Sequence, residues 1–166
     1  MIAINSVYKY VDVENGERIR IIEINQHNVY VVNIDSVTSM PKKEDINKIK
    51  DEVECSKLLE IKDPYIKIIE DSELTDTQIK IRNEDWNFIE KYWNQYKEEI
   101  LNKSKRSKVL EFMSEDTGYS MTKIKKVFSR FWQRGMNKNA LLPDYYKSGG
   151  KGKEKKLSGA KVGKPL

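Results

Sequence analysis

The chain has 166 residues, 38% hydrophobic and 34% charged, with a net charge of +5. That is room for one ordinary domain or two small ones with a wet surface. No apolar run is long enough to span a membrane, and the opening residues Met1 to Asn5 are not expected to act as a signal peptide. One cysteine, Cys55, and one histidine, His27, exclude an internal disulfide and a Cys/His zinc site, and point to a reducing cytoplasm. Cys55 is expected as a buried thiol and His27 as a surface residue.

The modest net charge conceals an asymmetry. Residues 1–80 hold 11 Lys/Arg against 16 Asp/Glu, while residues 81–166 hold 20 against 10. From Lys103 onward the balance is 17 to 5. Positive charge gathered in one region points to a polyanion partner for that region.

In chain order, the first third predicts β-structure. Val7–Val11, Ile19–Ile24 and Val29–Val32 are rich in β-branched and aromatic residues, and turn-formers separate them. Asn15-Gly16 is a hairpin signal, so the three runs predict an antiparallel meander. A helix is expected from Pro41, capped by Ser39, with Ile46, Ile49 and Val53 on one face. Short strands are expected at Leu58–Ile61 and Tyr65–Ile69. Residues 1–70 are therefore expected as a small β-rich domain, an SH3-like barrel or curled sheet. The acidic stretch 71–82 is expected as a linker.

Residues 83–135 predict a three-helix unit. Asn83 is expected to cap a first helix whose stripe is Trp86, Ile89, Trp93, Tyr96 and Ile100. A second helix is expected over about Lys105–Asp116, with Val109, Leu110 and Met113 inward. A third is expected over Met121–Arg134, capped by Ser120. Gly118 lies between the last two, where a helix-turn-helix needs a positive φ. Ser114 supplies a small contact, and Met113, Tyr119, Ile124 and Val127 fall at spacings that lock the angle. The fold class is thus α+β, a β-rich domain followed by an all-α helix-turn-helix domain.

The third helix carries the candidate site. Thr122, Lys123, Lys125, Lys126, Ser129, Arg130, Gln133 and Arg134 are polar and mostly cationic, and no acid lies between Asp116 and Asp144. A recognition helix enters the major groove with its N-terminal residues toward base edges. Ser120, Thr122, Lys123, Lys125 and Lys126 are therefore expected near bases. Ser129, Arg130, Gln133 and Arg134 are expected nearer phosphates, which supply affinity and register. Residues 136–166 are expected as an extended basic linker, in which Lys151 and Lys153 would follow a phosphate backbone. Arg18, Arg20 and Lys9 form a smaller basic patch on the β-domain. Catalytic signals are missing: no P-loop, no nucleophile elbow, and carboxylates such as Asp12, Asp35, Asp63 and Asp85 lie among ordinary surface acids.

Arg130-Phe131-Trp132-Gln133-Arg134-Gly135, Asn139 to Tyr145, and Ser148-Gly149 resemble the N-terminal region of TnsB-type transposases, DDE enzymes of bacterial cut-and-paste transposons. Ser158 to Gly163 is similar to that family's run into its next domain, and Met40-Pro41 and Asp63-Pro64-Tyr65 agree more weakly. The resemblance implies sequence-specific binding of double-stranded DNA at transposon-end repeats, in the bacterial cytoplasm. It implies an acidic catalytic triad, with its magnesium, beyond Leu166, so that this piece has no enzyme activity or cofactor of its own. It also implies an endonuclease partner and an ATPase regulator. A helix-turn-helix transcriptional regulator and a protein-interaction module of a transposition complex are the competing readings.

Overall fold

The computed structural model describes residues 2–11 and 13–143. Five strands form one antiparallel sheet: β1 (Val7–Tyr10), β2 (Arg18–Ile24), β3 (Asn28–Asn33), β4 (Lys42–Asp45) and β5 (Leu58–Ile61), in the order β4-β3-β2-β1-β5. A short helix, α1 (Ile46–Glu54), joins the two edge strands. Three further helices follow: α2 (Asp76–Leu101), α3 (Lys103–Thr117) and α4 (Met121–Gln133). A 3-10 turn at Lys138–Leu141 closes the described chain.

The meander arises as its composition predicts. Asn15 takes the positive φ of 56° at the first hairpin, and Gly16 is required beside it because a Cβ there would overlap the Tyr10 carbonyl. β2 is the central strand, and its alternation feeds two cores. Ile19 and Ile21 pack with Tyr8, Val29, Val31, Ile49 and Leu58 beneath α1. A bulge follows Ile21, and Ile22, with Val32 of β3, joins the aromatic core of the helical unit. That core is built from Phe88, Tyr92, Trp93, Phe128, Phe131 and Trp132, the last fully buried. Sheet and helices therefore share buried apolar surface and form one packed body.

Arg20, at an inward position of β2, is 0% exposed. Its two terminal nitrogens donate to both Asp63 oxygens at 2.6 and 2.9 Å. They also reach Asn5 Oδ1 and O on the sheet side and the Gln133 carbonyl on the helical side. Burial pushes the Asp63 carboxyl up, but the bonds from Arg20 and the Tyr65 amide hold it below the usual carboxylate range.

Local expectations fail where tertiary contacts decide. The helix expected from Pro41 is instead strand β4, followed by α1, which Asp45 rather than Ser39 caps. Ser39 is occupied elsewhere, its hydroxyl accepting from the Asn33 amide. Tyr65–Ile69 is not a strand, and Ile66 and Ile68 within it face solvent rather than a sheet core. The stretch 71–82 read as a linker holds a 3-10 turn at Asp71–Glu73 and the start of α2. Thr75, not Asn83, caps α2 through a capping box with Gln78. Arg82 fastens this first turn, buried and bonded to Asp71 and Asn139. Cys55 is exposed at the end of α1 rather than buried.

Candidate nucleic-acid interface

The corner between α3 and α4 is closed by its own backbone. Gly118 ends α3 at φ 81°, and its amide donates to the Ser114 carbonyl at 2.8 Å. The Ser114 hydroxyl donates to the Tyr119 carbonyl at 2.7 Å, so the small side chain ties the first helix to the entry of the second. Thr117 Oγ1 donates back to Met113 and accepts from the Tyr119 amide. Ser120 then caps α4, accepting from the Lys123 amide at 3.1 Å. Met113, Ile124 and Val127 are buried across the angle, and Tyr119 stacks on Phe88 with ring centroids 5.1 Å apart.

α4 changes character along its length. In its first half only Ile124 is buried; Thr122, Lys123, Lys125 and Lys126 are exposed, as is Ser120 at the cap. Neither α3 nor α4 has an acid in its first turn. Their N-terminal ends instead carry Lys103 and Lys105, and Lys123, against the preference of the helix dipole for anions there. Exposed cations at a helix start that carries no acid are a placement suited to an external anion. Lys103, Lys105 and Lys108 of α3 are exposed, and sequence reasoning missed them. The charge count from Lys103 onward carried the signal, but no motif singled them out.

Lys123 is partly engaged. Its ammonium lies 3.9 Å from the Tyr119 ring centroid, and its charge acts on Asp85 below. Burial pushes the Asp85 carboxyl above its ordinary value, against the opposing pull of Lys123 and Arg130. Among the described residues Lys125 and Lys126 form no ion pair.

The second half of α4 departs from expectation. Ser129 and Gln133 are buried, not aimed at phosphates. Ser129 Oγ accepts from the Ser39 amide at 2.9 Å and donates to its carbonyl at 3.2 Å. Gln133 Nε2 donates to the Asn33 and Ser36 carbonyls at 2.9 and 2.8 Å. Both are polar because they dock onto backbone of the β3–β4 connection, where every carbonyl needs a donor. Arg130 and Arg134 remain half-exposed beside this seam, Arg134 lying 5.7 Å from the Tyr65 ring. The smaller patch does not hold together: Arg20 is the buried bolt described above, Arg18 is paired with Asp35, and Lys9 alone is exposed. Lys151 and Lys153 lie outside the described residues.

A small β-sheet domain is fastened to a helical unit whose glycine-cornered helix pair bears a cationic ridge, the arrangement of a helix-turn-helix module. Comparison with known families gives two matches, the TnsB N-terminal SH3-like domain over residues 1–64 and the TnsB second domain over residues 82–145. The chain belongs to the TnsB family and carries these two N-terminal domains. It is 29% identical over 110 residues to the transposon Tn7 transposition protein TnsB of Escherichia coli, a match that covers 65% of this chain and 15% of that protein. The chain thus spans only a small fraction of its relative's length. Among the described residues no cluster of potential metal ligands occurs, and no helix is long and apolar enough to cross a membrane.

Proposed function

We propose that this chain is the end-recognition part of a TnsB transposase. It binds double-stranded DNA at the terminal repeats of its transposon and contributes no bond-making step. The exposed, acid-free first half of α4 carries this reading: Ser120, Thr122, Lys123, Lys125 and Lys126 present hydroxyls and ammonium groups at the start of a helix set off by a tight corner. Such an end fits the major groove, where hydroxyls and lysines read base edges. Lys103, Lys105 and Lys108 on α3 flank the groove as phosphate contacts, with Arg130 and Arg134 at the far end of α4. A duplex held in this way needs no cofactor. Magnesium belongs to the strand-transfer chemistry that the family resemblance assigns beyond this piece. An endonuclease and an ATPase of the same machinery are the expected partners in a bacterial cytoplasm.

The test is a mobility-shift titration with terminal-repeat DNA and a scrambled duplex at two salt concentrations. If about six cations meet phosphates, the logarithm of affinity falls with a slope near −5 against the logarithm of salt. Lys125→Ala and Lys126→Ala should each cost about 1–3 kcal/mol on the repeat where a base is read, and reduce discrimination against the scrambled duplex. Equal affinity for both duplexes in the parent chain, or unchanged repeat binding in both variants, rejects α4 as the reader.

A further inference from the structure

The exposed face of α4 does not end where the helix becomes buried. Thr122, Lys126, Ser129 and Gln133 are spaced by four, three and four residues, so all four lie along one stripe of the helix. The first two are open to solvent and the last two are buried. What covers them is the connection from β3 to β4, residues 34–41, held by the bonds from Ser129 to Ser39 and from Gln133 to Asn33 and Ser36. The recognition stripe therefore runs directly into a loop of the sheet domain. A duplex lying on Thr122 and Lys126 meets this loop within about three residues of helix, roughly 5 Å further along the axis.

The loop is built to stand there. The Asn33 side chain accepts from the amides of Asp35 and Ser36 at 2.7 and 3.1 Å, and Ser36 Oγ donates to the Thr38 carbonyl at 2.9 Å. With both ends docked on α4, its conformation is set before any ligand arrives. Its one acid, Asp35, is held by two parallel bonds from Arg18 at 3.0 and 2.6 Å, which removes the charge that would repel a phosphate. Arg18 draws the Asp35 carboxyl below the usual range, against a smaller upward push from burial. At the tip Val37 is 86% exposed with Thr38 beside it. This is an apolar and hydroxyl-bearing point on a loop whose charge is cancelled.

We infer that the segment Asp35–Thr38 is a second DNA contact, a wing supplied by the sheet domain that presses on the same duplex beside α4. It rests on the reading of α4 as the DNA-binding helix. The wing explains why the two domains share a core: the sheet domain holds a contact at a set distance from the recognition helix. Its chemistry suits the sugar and base-methyl surface of a groove wall rather than a charged site.

The test substitutes an exposed tip, so that the fold is not at stake. Val37→Glu is compared with Leu59→Glu, an exposed position at 44% on β5 at the other edge of the sheet. Lys126→Glu tests the parent reading. Affinity for terminal-repeat DNA is measured at about 0.1 M salt, where the Debye length of about 10 Å confines the effect of a new charge to its surroundings. The expected result is a loss of tenfold or more for Val37→Glu, less than twofold for Leu59→Glu, and tighter binding for Val37→Lys, all with unchanged melting temperatures. If Val37→Glu binds as well as Leu59→Glu while Lys126→Glu is impaired, the wing is overturned and α4 stands. If Lys126→Glu itself binds normally, the reading of α4 falls and the wing with it.

Discussion

Replacing Arg20 by Met removes the bolt between sheet and helices while keeping most of the volume of the stem. The guanidinium makes five hydrogen bonds, to Asp63 twice, to Asn5 twice and to Gln133 once. Its loss leaves the Asp63 carboxylate, whose side chain is 15% exposed, without its cation, and the Gln133 carbonyl without this donor. Breaking a buried pair from one side costs about 3–5 kcal/mol, chiefly through the charge left behind. Against a total stability of about 5–15 kcal/mol this is a large fraction. For a chain of this size it corresponds to a fall in melting temperature of roughly 6–20 °C. Urea unfolding followed by tryptophan fluorescence gives the free energy. The double variant Arg20→Met with Asp63→Leu should recover part of the loss, because the stranded charge is gone. The pH dependence has a definite sign. Asp63 is held below its ordinary value in the folded chain, so its contribution is present above the unfolded carboxylate pKa and is lost as pH falls through the folded one. Arg20→Met should therefore cost least in acid. A loss under about 1 kcal/mol at neutral pH, or no recovery in the double variant, would refute the account of the bolt.

Gly118→Ala meets open space but must hold φ at 81°, so it should destabilise by about 1–2 kcal/mol, with Gly118→Asn milder, as chemical denaturation would show. Ser120→Ala removes the cap of α4 and should cost about 1 kcal/mol, with Ser120→Asp restoring stability but weakening DNA binding; equal DNA affinity for the Asp variant would place the helix start away from the duplex. Asp85 is raised by burial, so its favourable contribution is full below the unfolded carboxylate pKa and disappears as pH rises through the folded one. Asp85→Asn should accordingly gain stability relative to the parent as pH rises above the unfolded carboxylate pKa, and a pH-independent difference in melting temperature would contradict this.

The elements built by local rules are visible in the sequence. Three runs of β-branched residues became β1, β2 and β3, and the stretch from Ser114 to Ser120 specified its corner through glycine conformation and hydroxyl caps, both acting over a few residues. The charge step after Lys103 pointed to the helices that now present exposed lysines. What the pattern could not tell was which polar residues of α4 face outward. Thr122, Lys126, Ser129 and Gln133 are equivalent in helical spacing, and only the presence of the β3–β4 loop separates the two exposed from the two buried. Arg20 read as a surface cation because nothing near it in sequence announces Asp63 or the Gln133 carbonyl. Pro41 and Ser39 read as a helix start because the backbone partners that make Lys42–Asp45 a strand lie on β3. Hydrophobic periodicity and capping are properties of neighbours along the chain, so the sequence alone determined the helices, most strands and the corner. Polar burial depends on which distant backbone offers a carbonyl or amide, so only the tertiary structure decided the docking of the two domains and the true extent of the cationic ridge.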